Sequence, residues 1–364
     1  MKLALINLGR RGGGVQLTSR LFDAARTMNG IDPHVIVSSD NESAEFFRAA
    51  APKSLLVDTF SAFGSAGLLT NYWRSRAAIL HYLQENRVDA VFNVMPHVWT
   101  PLLMRDIRRR GIRYGTLIHD VEMHPGDPTA LATRWLLSEA KAADLVVTMS
   151  KAVTERLAPR RVGKVMITAF HPDYVTGSVL QARTRDASRP LRLLFFGRIF
   201  AYKGLPMLVE AIGQISVKGI AIELCVAGAG DLGAMRARLE AMGADIRNHW
   251  HDEAEIDALF ARADIAVLSH VEASQSGIPA LAYAHAMPVI ATPVGGLTEQ
   301  INHRRTGLLS EDISAAGLAS AIETLARDPD LYDRMSENIV AEADARSPTS
   351  FLRLVVEKLS VLNA

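Results

Sequence analysis

Apolar positions along the chain recur in two rhythms. Apolar-rich runs at residues 2–8, 34–38, 89–94, 114–118 and 143–149 carry no alternating polar face, so they read as strands buried on both sides; residues 55–58 and 165–169 are looser candidates. Between them, segments near 15–28, 68–83, 102–110 and 130–141 repeat apolar residues every three or four positions, and Ser150 caps a further helix reaching residue 157. In the 68–83 segment Leu69, Tyr72, Trp73, Leu80 and Leu83 fall on one side, with Arg74, Arg76 and His81 between them. That spacing predicts a helix packed on a sheet, with an interfacial membrane helix as the alternative.

The same alternation begins afresh at residue 191. Strands are expected at 191–196, 222–227, 265–268, 289–291 and 307–309, with helices at 205–215, 232–242, 252–264, 280–287, 313–326, 330–345 and 348–362. Pro288 ends the helix at 280–287. From 177 to 190 the chain turns polar and aperiodic, which reads as a linker. Two rounds of alternating strands and helices predict the α/β class, as two Rossmann-like domains at 1–175 and 191–345, joined by 176–190 and followed by a terminal segment at 346–364.

Composition narrows the class. The 364 residues suffice for two cores, and 49% apolar with 22% charged residues is a globular balance. The first apolar run is too short for a signal peptide and flows into a Gly-rich turn, and no stretch has the roughly 18 apolar residues of a spanning helix, so a cytoplasmic protein is expected. The single cysteine, Cys225, excludes an internal disulfide and a cysteine-based metal site; within an apolar run it reads as a buried structural thiol. The net charge of +1 divides unevenly: residues 1–175 hold 22 Lys and Arg against 16 Asp and Glu, the remainder 18 against 23. The basic half suits an anionic acceptor or the surface of a membrane. Arg108, Arg109 and Arg110 end a helix, where cations complement its dipole; a phosphate- or membrane-facing role is the other reading.

Candidate chemistry gathers at strand ends. The run 265–268 stops at Ser269, and Ser274, Gln275, Ser276 and Gly277 then offer small side chains and backbone N–H groups before the helix that Ile278 adjoins, a good place for an anion. Gly295 and Gly296 open a second turn towards Glu299, so two strand ends and two helix starts converge where open α/β sheets bind ligands. Near the N-terminus, strand, glycine turn and helix follow in Rossmann order through Gly13 and Gly14. The spacing is not G-x-G-x-x-G, so the NAD reading rests on an incomplete motif, and the turn can equally serve packing alone. His119, Asp120, Glu122 and His124 crowd the end of the strand at 114–118; as a metal cluster they lack a recognised ligand spacing.

These motifs carry a resemblance. The stretch from Ser269 to Glu299, SHVEASQSGIPALAYAHAMPVIATPVGGLTE, together with G-R-x-x-x-x-K-G at 197–204 and G-A-G-D at 228–231, resembles the retaining nucleotide-sugar glycosyltransferases of family 4, which have the GT-B fold of two Rossmann-like domains facing across a cleft. The likeness covers the second half strongly and the first through the Gly-rich loop, the His119 strand end and the strand before Ser150. It implies that Gly197, Arg198 and Lys203 hold the donor diphosphate, where fixed cations stabilise the charge growing on the leaving group. It also implies that Gly13 and Gly14 face the donor, that His119 contacts the transferred sugar with Asp120 orienting it, and that the final helix crosses back to the first domain. Ser274, Gln275, Ser276, Gly277, Ile278 and Glu299 fall in the donor site, with Glu299 holding ribose or sugar hydroxyls or acting only as a capping acid. The family carries two glutamates eight residues apart here; this chain has Ala273 and Leu281, with Glu272 one position out of register.

The resemblance implies transfer of a hexose-type sugar from a UDP- or GDP-sugar to a saccharide or lipid-linked acceptor, with retention and without a metal or other cofactor. It places the protein in the cytoplasm, with peripheral contact at the inner face of the membrane through the basic half, and no nucleic-acid partner. The missing glutamates favour a rival, a non-catalytic binding or regulatory protein on the same fold.

Overall fold

The computed structural model describes residues 1–59, 64–121, 130–160, 162–174 and 180–362, without the side chains of 64–69 and 130–134. The chain divides into two compact units: Met1–Met123, Asp127–Pro172 and Ser347–Ala364 form the first, and Asp173–Arg346 lies in the second.

In chain order the first unit comprises β1 (Lys2–Asn7), α1 (Gly13–Thr27), β2 (Asp32–Ser38), α2 (Ala44–Ala49), β3 (Ser54–Val57), α3 (Gly64–Glu85), β4 (Ala90–Met95), α4 (Thr100–Arg108), β5 (Arg113–Ile118), α5 (Ala130–Ala142), β6 (Leu145–Thr148), α6 (Lys151–Leu157) and β7 (Val165–Thr168). Its strands form one sheet in the order β3-β2-β1-β4-β5-β6-β7, every pairing parallel. Residues such as Leu3, Leu5, Ile36, Val91, Phe92 and Val146 are fully buried, which is why these strands read as continuous apolar runs. The order reverses between β1 and β4, so the two connections leaving these strands part and open a crevice at their carboxyl ends.

The second unit repeats the plan with β8 (Leu191–Phe196), α7 (Leu205–Ser216), β9 (Ile222–Ala227), α8 (Met235–Ala241), β10 (Asp245–Arg247), α9 (Glu253–Arg262), β11 (Ile265–Leu268), α10 (Ile278–Ala284), β12 (Val289–Ala291), α11 (Leu297–Gln300), β13 (Gly307–Leu309), α12 (Ala315–Arg327) and α13 (Pro329–Ala341). Its parallel sheet runs β10-β9-β8-β11-β12-β13, reversing between β8 and β11. One core holds Leu193, Phe195, Leu208, Ile212, Val267 and Ile322, and another on the opposite face holds Leu194, Phe260, Ala282, Tyr283 and Met287.

The last helix, α14 (Pro348–Val361), belongs to the first unit. It packs on α1, its Phe351 ring lies 6.3 Å from Phe92 and 6.0 Å from Phe170, and Arg113 Nη1 donates to the Leu359 carbonyl at 2.8 Å.

Three local expectations need correction. Residues 180–190, read as a linker, are hydrogen-bonded along the second unit: the Arg183 N–H donates to Ser336 Oγ at 2.7 Å, the Arg185 N–H to Asp333 at 2.7 Å, and Arg189 grips Asp264 through both terminal nitrogens at 2.7 Å. The helix expected at 280–287 is α10, displaced towards its N-terminus: Pro279 fits its first turn, and Ala286 at φ 50° stops it before Pro288. Cys225 is half-buried, and its thiol is pushed up to about 11 chiefly by burial.

Some basic residues of the first unit meet acids. Arg108 donates to both oxygens of the buried Asp144 carboxylate at 2.8 and 3.2 Å, Arg109 lies 3.6 Å from Asp106, and Arg76 Nε donates to Asp106 at 2.8 Å. Of the cluster at 108–110, Arg108 and Arg109 meet acids of their own unit, and Arg110 Nη1 donates to the Asp106 carbonyl at 2.9 Å. Among the described residues no helix is long and apolar enough to cross a membrane.

Candidate active site

The second unit builds its site where the sheet order reverses. After β8 the chain enters Gly197 at φ 109°, and a Cβ there would lie 2.8 Å from Lys203 Nζ. The missing side chain is what gives the ammonium its place. Gly204, at φ 66°, lies so close to β11 that a Cβ would stand 1.8 Å from the Ser269 carbonyl oxygen. Ser269 Oγ donates to the Lys203 carbonyl at 2.8 Å, and the Val271 N–H to the Tyr202 carbonyl at 2.8 Å, so the turn carrying Lys203 is fastened across the switch point.

Lys203 is only 8% exposed. Burial, and then the charge of Arg198, bring its ammonium down to about 8 from the usual lysine value of 10.5. Among the described residues no carboxylate pairs with it. Arg198 is exposed and holds its guanidinium 4.9 Å over the Phe200 ring. A buried cation with no carboxylate beside it among the described residues is costly until a partner arrives.

Gly228, at φ 139°, seals the other side of β8, its Cβ position falling 2.0 Å from the Gly197 carbonyl oxygen. Asn248 Nδ2 donates to the carbonyls of Gly228 and Gly230 at 2.9 and 3.0 Å, fixing the turn between β9 and α8.

The turn before α10 is organised differently from the expectation. The Ser276 N–H donates to Gln300 Oε1 at 2.9 Å and Gln300 Nε2 returns to the Ser276 carbonyl at 2.7 Å, while the Ile278 N–H donates to Ser276 Oγ at 3.2 Å. Two of the N–H groups expected to meet an anion are therefore satisfied inside the protein, and Gly277 caps a helix of seven residues with a correspondingly short dipole. Ser274 is buried and Gln275 half-buried beside it. Gly295 lies against this turn, its Cβ position 1.8 Å from the Ala273 carbonyl oxygen, and it leads to Glu299, exposed in the first turn of α11. Gln300 carries no sequence signal of its own, because a clamp spanning 24 residues leaves no local pattern.

In the first unit, Gly13 opens α1 behind Gly12, whose φ of 96° makes it the cap. Gly14 lies against the end of β4, a Cβ there falling 3.0 Å from Met95 Cε, and Asn7 Nδ2 donates to its carbonyl at 2.8 Å. His119 approaches β4 from the opposite side. Its Nε2 donates to the Val94 carbonyl at 2.9 Å, which sets the tautomer, and burial holds its pKa below the usual histidine value. Gly14 and His119 thus flank one strand end, at the switch point of the first sheet. Asp120 Oδ1 accepts the Val121 N–H at 2.7 Å, and the Asp120 charge acts on the His119 ring, which also holds the Val94 carbonyl. Glu122 and His124, part of the alternative metal cluster, lie outside the described residues.

Residues 190–328 match the family described as glycosyl transferases group 1. Over 173 residues the chain is 32% identical to a D-inositol 3-phosphate glycosyltransferase of Arthrobacter, covering 45% of this chain and 41% of that protein. Over 205 residues it is 31% identical to a glycogen synthase of Mycobacterium tuberculosis, covering 54% and 48%. The chain thus spans less than half the length of these relatives. The crystal structure of Anabaena HepE in complex with UDP and glucose superposes with a TM-score of 0.73 at 18% identity, covering 100% of both chains. The two parallel-sheet units are those of the GT-B fold.

Proposed function

We propose, for a chain whose residues 190–328 form a glycosyl transferases group 1 domain, that it moves a hexose-type sugar from a nucleotide diphosphate donor to a saccharide or lipid-linked hydroxyl with retention of configuration. The observation that carries this reading is the buried Lys203 ammonium beside Arg198 at the switch point of the second sheet, with no carboxylate paired to it among the described residues. A diphosphate is the anion such a pair suits. It arrives charged, gains charge as the glycosidic bond breaks, and is held by fixed cations that need no reorganisation during the reaction.

Lys203 and Arg198 stabilise the departing diphosphate, and no resident metal is required where two side-chain cations supply the charge. The leaving phosphate takes the proton of the acceptor hydroxyl as the new bond forms on the same face of the sugar. His119 positions the sugar, the Gly13–Gly14 turn lets backbone approach it, and Glu299 reaches hydroxyls of the donor. UDP is the first nucleotide to try, since HepE was solved with it. Reaction at the cytoplasmic face of a membrane, with the basic unit on the lipid surface, suits a lipid-linked acceptor.

One observation favours the second reading, a non-catalytic protein that binds the nucleotide. Where the resembling family carries its second glutamate, Leu281 packs against the apolar core, so no carboxylate reaches out from α10.

The experiment that separates them is nucleotide release from UDP-, GDP- and ADP-sugars, with and without chelator, for the wild type, Arg198→Ala and Lys203→Ala. Release from one donor class that survives chelator and collapses in both variants supports the transferase. Nucleotide binding without release under any acceptor tried supports the second reading, and absence of binding overturns the donor site.

A further inference from the structure

A cluster outside the residues assigned above lies in the loop between β10 and α9. His249, His251 and Glu255 bring a ring nitrogen each and a carboxylate oxygen within 4.8 Å of one another. His251 is the informative member. It is 6% exposed, and its Nε2 donates to the Arg247 carbonyl at 3.1 Å, which leaves Nδ1 as the nitrogen turned towards the cluster. That Nδ1 is buried and has no hydrogen-bond partner. Glu255 Oε2 lies 3.5 Å from it. An imidazole nitrogen set against a carboxylate calls for a cation between them, either a proton or a metal ion.

The spacings suit such a cation. Tetrahedral coordination with bonds of about 2.0–2.1 Å places ligand atoms about 3.3 Å apart. His249 Nε2 lies 3.2 Å from Glu255 Oε1, and His251 Nδ1 3.5 Å from Glu255 Oε2. The Arg247 carbonyl on the far nitrogen of His251 is the kind of outer partner that orients a metal-binding imidazole. Glu255 is itself held by a capping box, since the Asp252 N–H donates to its Oε2 at 3.1 Å and Asp252 Oδ1 accepts its N–H at 2.9 Å. The loop is thus preorganised by backbone contacts, with two imidazoles and one carboxylate converging.

We propose that His249, His251 and Glu255 form a site for a divalent transition metal of the zinc, cobalt or nickel kind. Two imidazoles and a carboxylate favour these ions over magnesium or calcium, which take oxygen ligands. Three protein ligands leave a fourth position for water or an oxygen of a bound molecule. His249 and Glu255 are exposed, so that position faces solvent. The ion would tie the loop to the end of β8, where the Phe196 ring lies 6.1 Å from His251.

The test uses the full chain with any affinity tag removed and its metals stripped by chelator and dialysis, with no sugar nucleotide present. Titration with Co²⁺ should give one visible d–d band saturating at one ion per chain, and Zn²⁺ should displace it and raise the melting temperature. His249→Ala and Glu255→Gln should each weaken binding at least 100-fold. Both side chains are exposed, and the glutamine keeps the capping bond, so folding is preserved. His81→Ala, which removes another exposed His–Glu pair at 3.6 Å, should change nothing. Failure to saturate at one ion, or equal affinity in the wild type and the two ligand variants, would overturn the site. Neither result depends on sugar transfer.

Discussion

Between Asp173 and Arg346 two hydrogen bonds run in opposite directions: the Asp173 N–H donates to the Arg346 carbonyl at 2.9 Å, and Arg346 Nε donates to Asp173 Oδ2 at 2.9 Å. These are the residues at which the chain enters and leaves the long continuous segment of the second unit. The guanidinium also lies 4.8 Å over the Tyr283 ring and reaches Glu342 at 3.2 Å. One buried Asp–Arg pair therefore fastens both ends of that segment.

Asp173 should make stability fall as pH rises. Burial, only partly offset by Arg346, raises its carboxyl from 3.8 to about 7, and its Oδ1 has no hydrogen-bond partner. The folded protein then holds a proton that the unfolded chain has released, so stability is lost as pH rises between about pH 4 and pH 7. Urea unfolding of the wild type and Asp173→Asn at pH 5 and pH 8 checks it: the variant should gain relative to the wild type at the higher pH. A relative loss there would mean the carboxylate is ionised in the fold throughout.

Lys203 shows the opposite arrangement, a cation whose folded value of about 8 lies below its usual 10.5. Its burial therefore costs stability in full below pH 8, and the cost fades as pH rises towards 10.5. Lys203→Met should melt higher than the wild type at pH 7, by an amount on the order of 1 kcal/mol or more, while losing nucleotide affinity by roughly 10- to 100-fold. A variant that melts lower would show that the ammonium already has a partner.

The same group should couple binding to protons. At pH 8 about half of the Lys203 side chains are neutral, and a bound diphosphate favours the charged form, so UDP binding should take up a fraction of a proton. Calorimetry in two buffers of different ionisation enthalpy reads this directly. Identical apparent enthalpies at pH 8 would remove Lys203 from the phosphate site.

Gln300→Ala should loosen the turn before α10. It strips partners from the N–H and carbonyl of the largely buried Ser276, at a cost of about 1–3 kcal/mol. Nucleotide affinity should fall about 10-fold, because a loop ordered on binding spends part of the interaction energy on ordering. Unchanged affinity alongside lowered stability would place this turn outside the donor site.

Gly204→Ala should be among the most damaging substitutions in the chain. The φ of 66° and the 1.8 Å approach to the Ser269 carbonyl oxygen leave no room for a methyl group, and backbone on both sides must move. A loss on the order of 3 kcal/mol or more is expected in chemical unfolding. Gly213→Ala, in mid-helix with open space around it, is the control and should be neutral or stabilising.

The strands were legible because parallel sheets covered on both faces leave unbroken apolar runs: residues 222–227 and 265–268 are β9 and β11 to the residue. Positions at strand ends were legible too, as with Arg198, Lys203 and His119, since polar residues after an apolar run have few other places to be. What stayed hidden depends on contacts distant in sequence. Gln300 clamping Ser276, and Arg183 and Arg189 fastening 180–190 to the second unit, follow no local rule. Nor does Glu139, a fully buried carboxylate that accepts from Asn93, Tyr114 and Thr100, and whose pKa burial raises. His251 carries no local signal either, since its place beside Glu255 depends on the Arg247 carbonyl that holds its other nitrogen.

The placement of α14 in the first unit sets an order on synthesis. Phe351 is fully buried against Phe92 and Phe170, yet the ribosome makes it about 180 residues after the second of these and only once the whole of Asp173–Arg346 has been translated. The segment begun first is the one whose core closes last. While its successor is made, the emerging chain carries an unfilled apolar slot on α1 and the sheet, which a chaperone is well placed to cover until the final helix arrives.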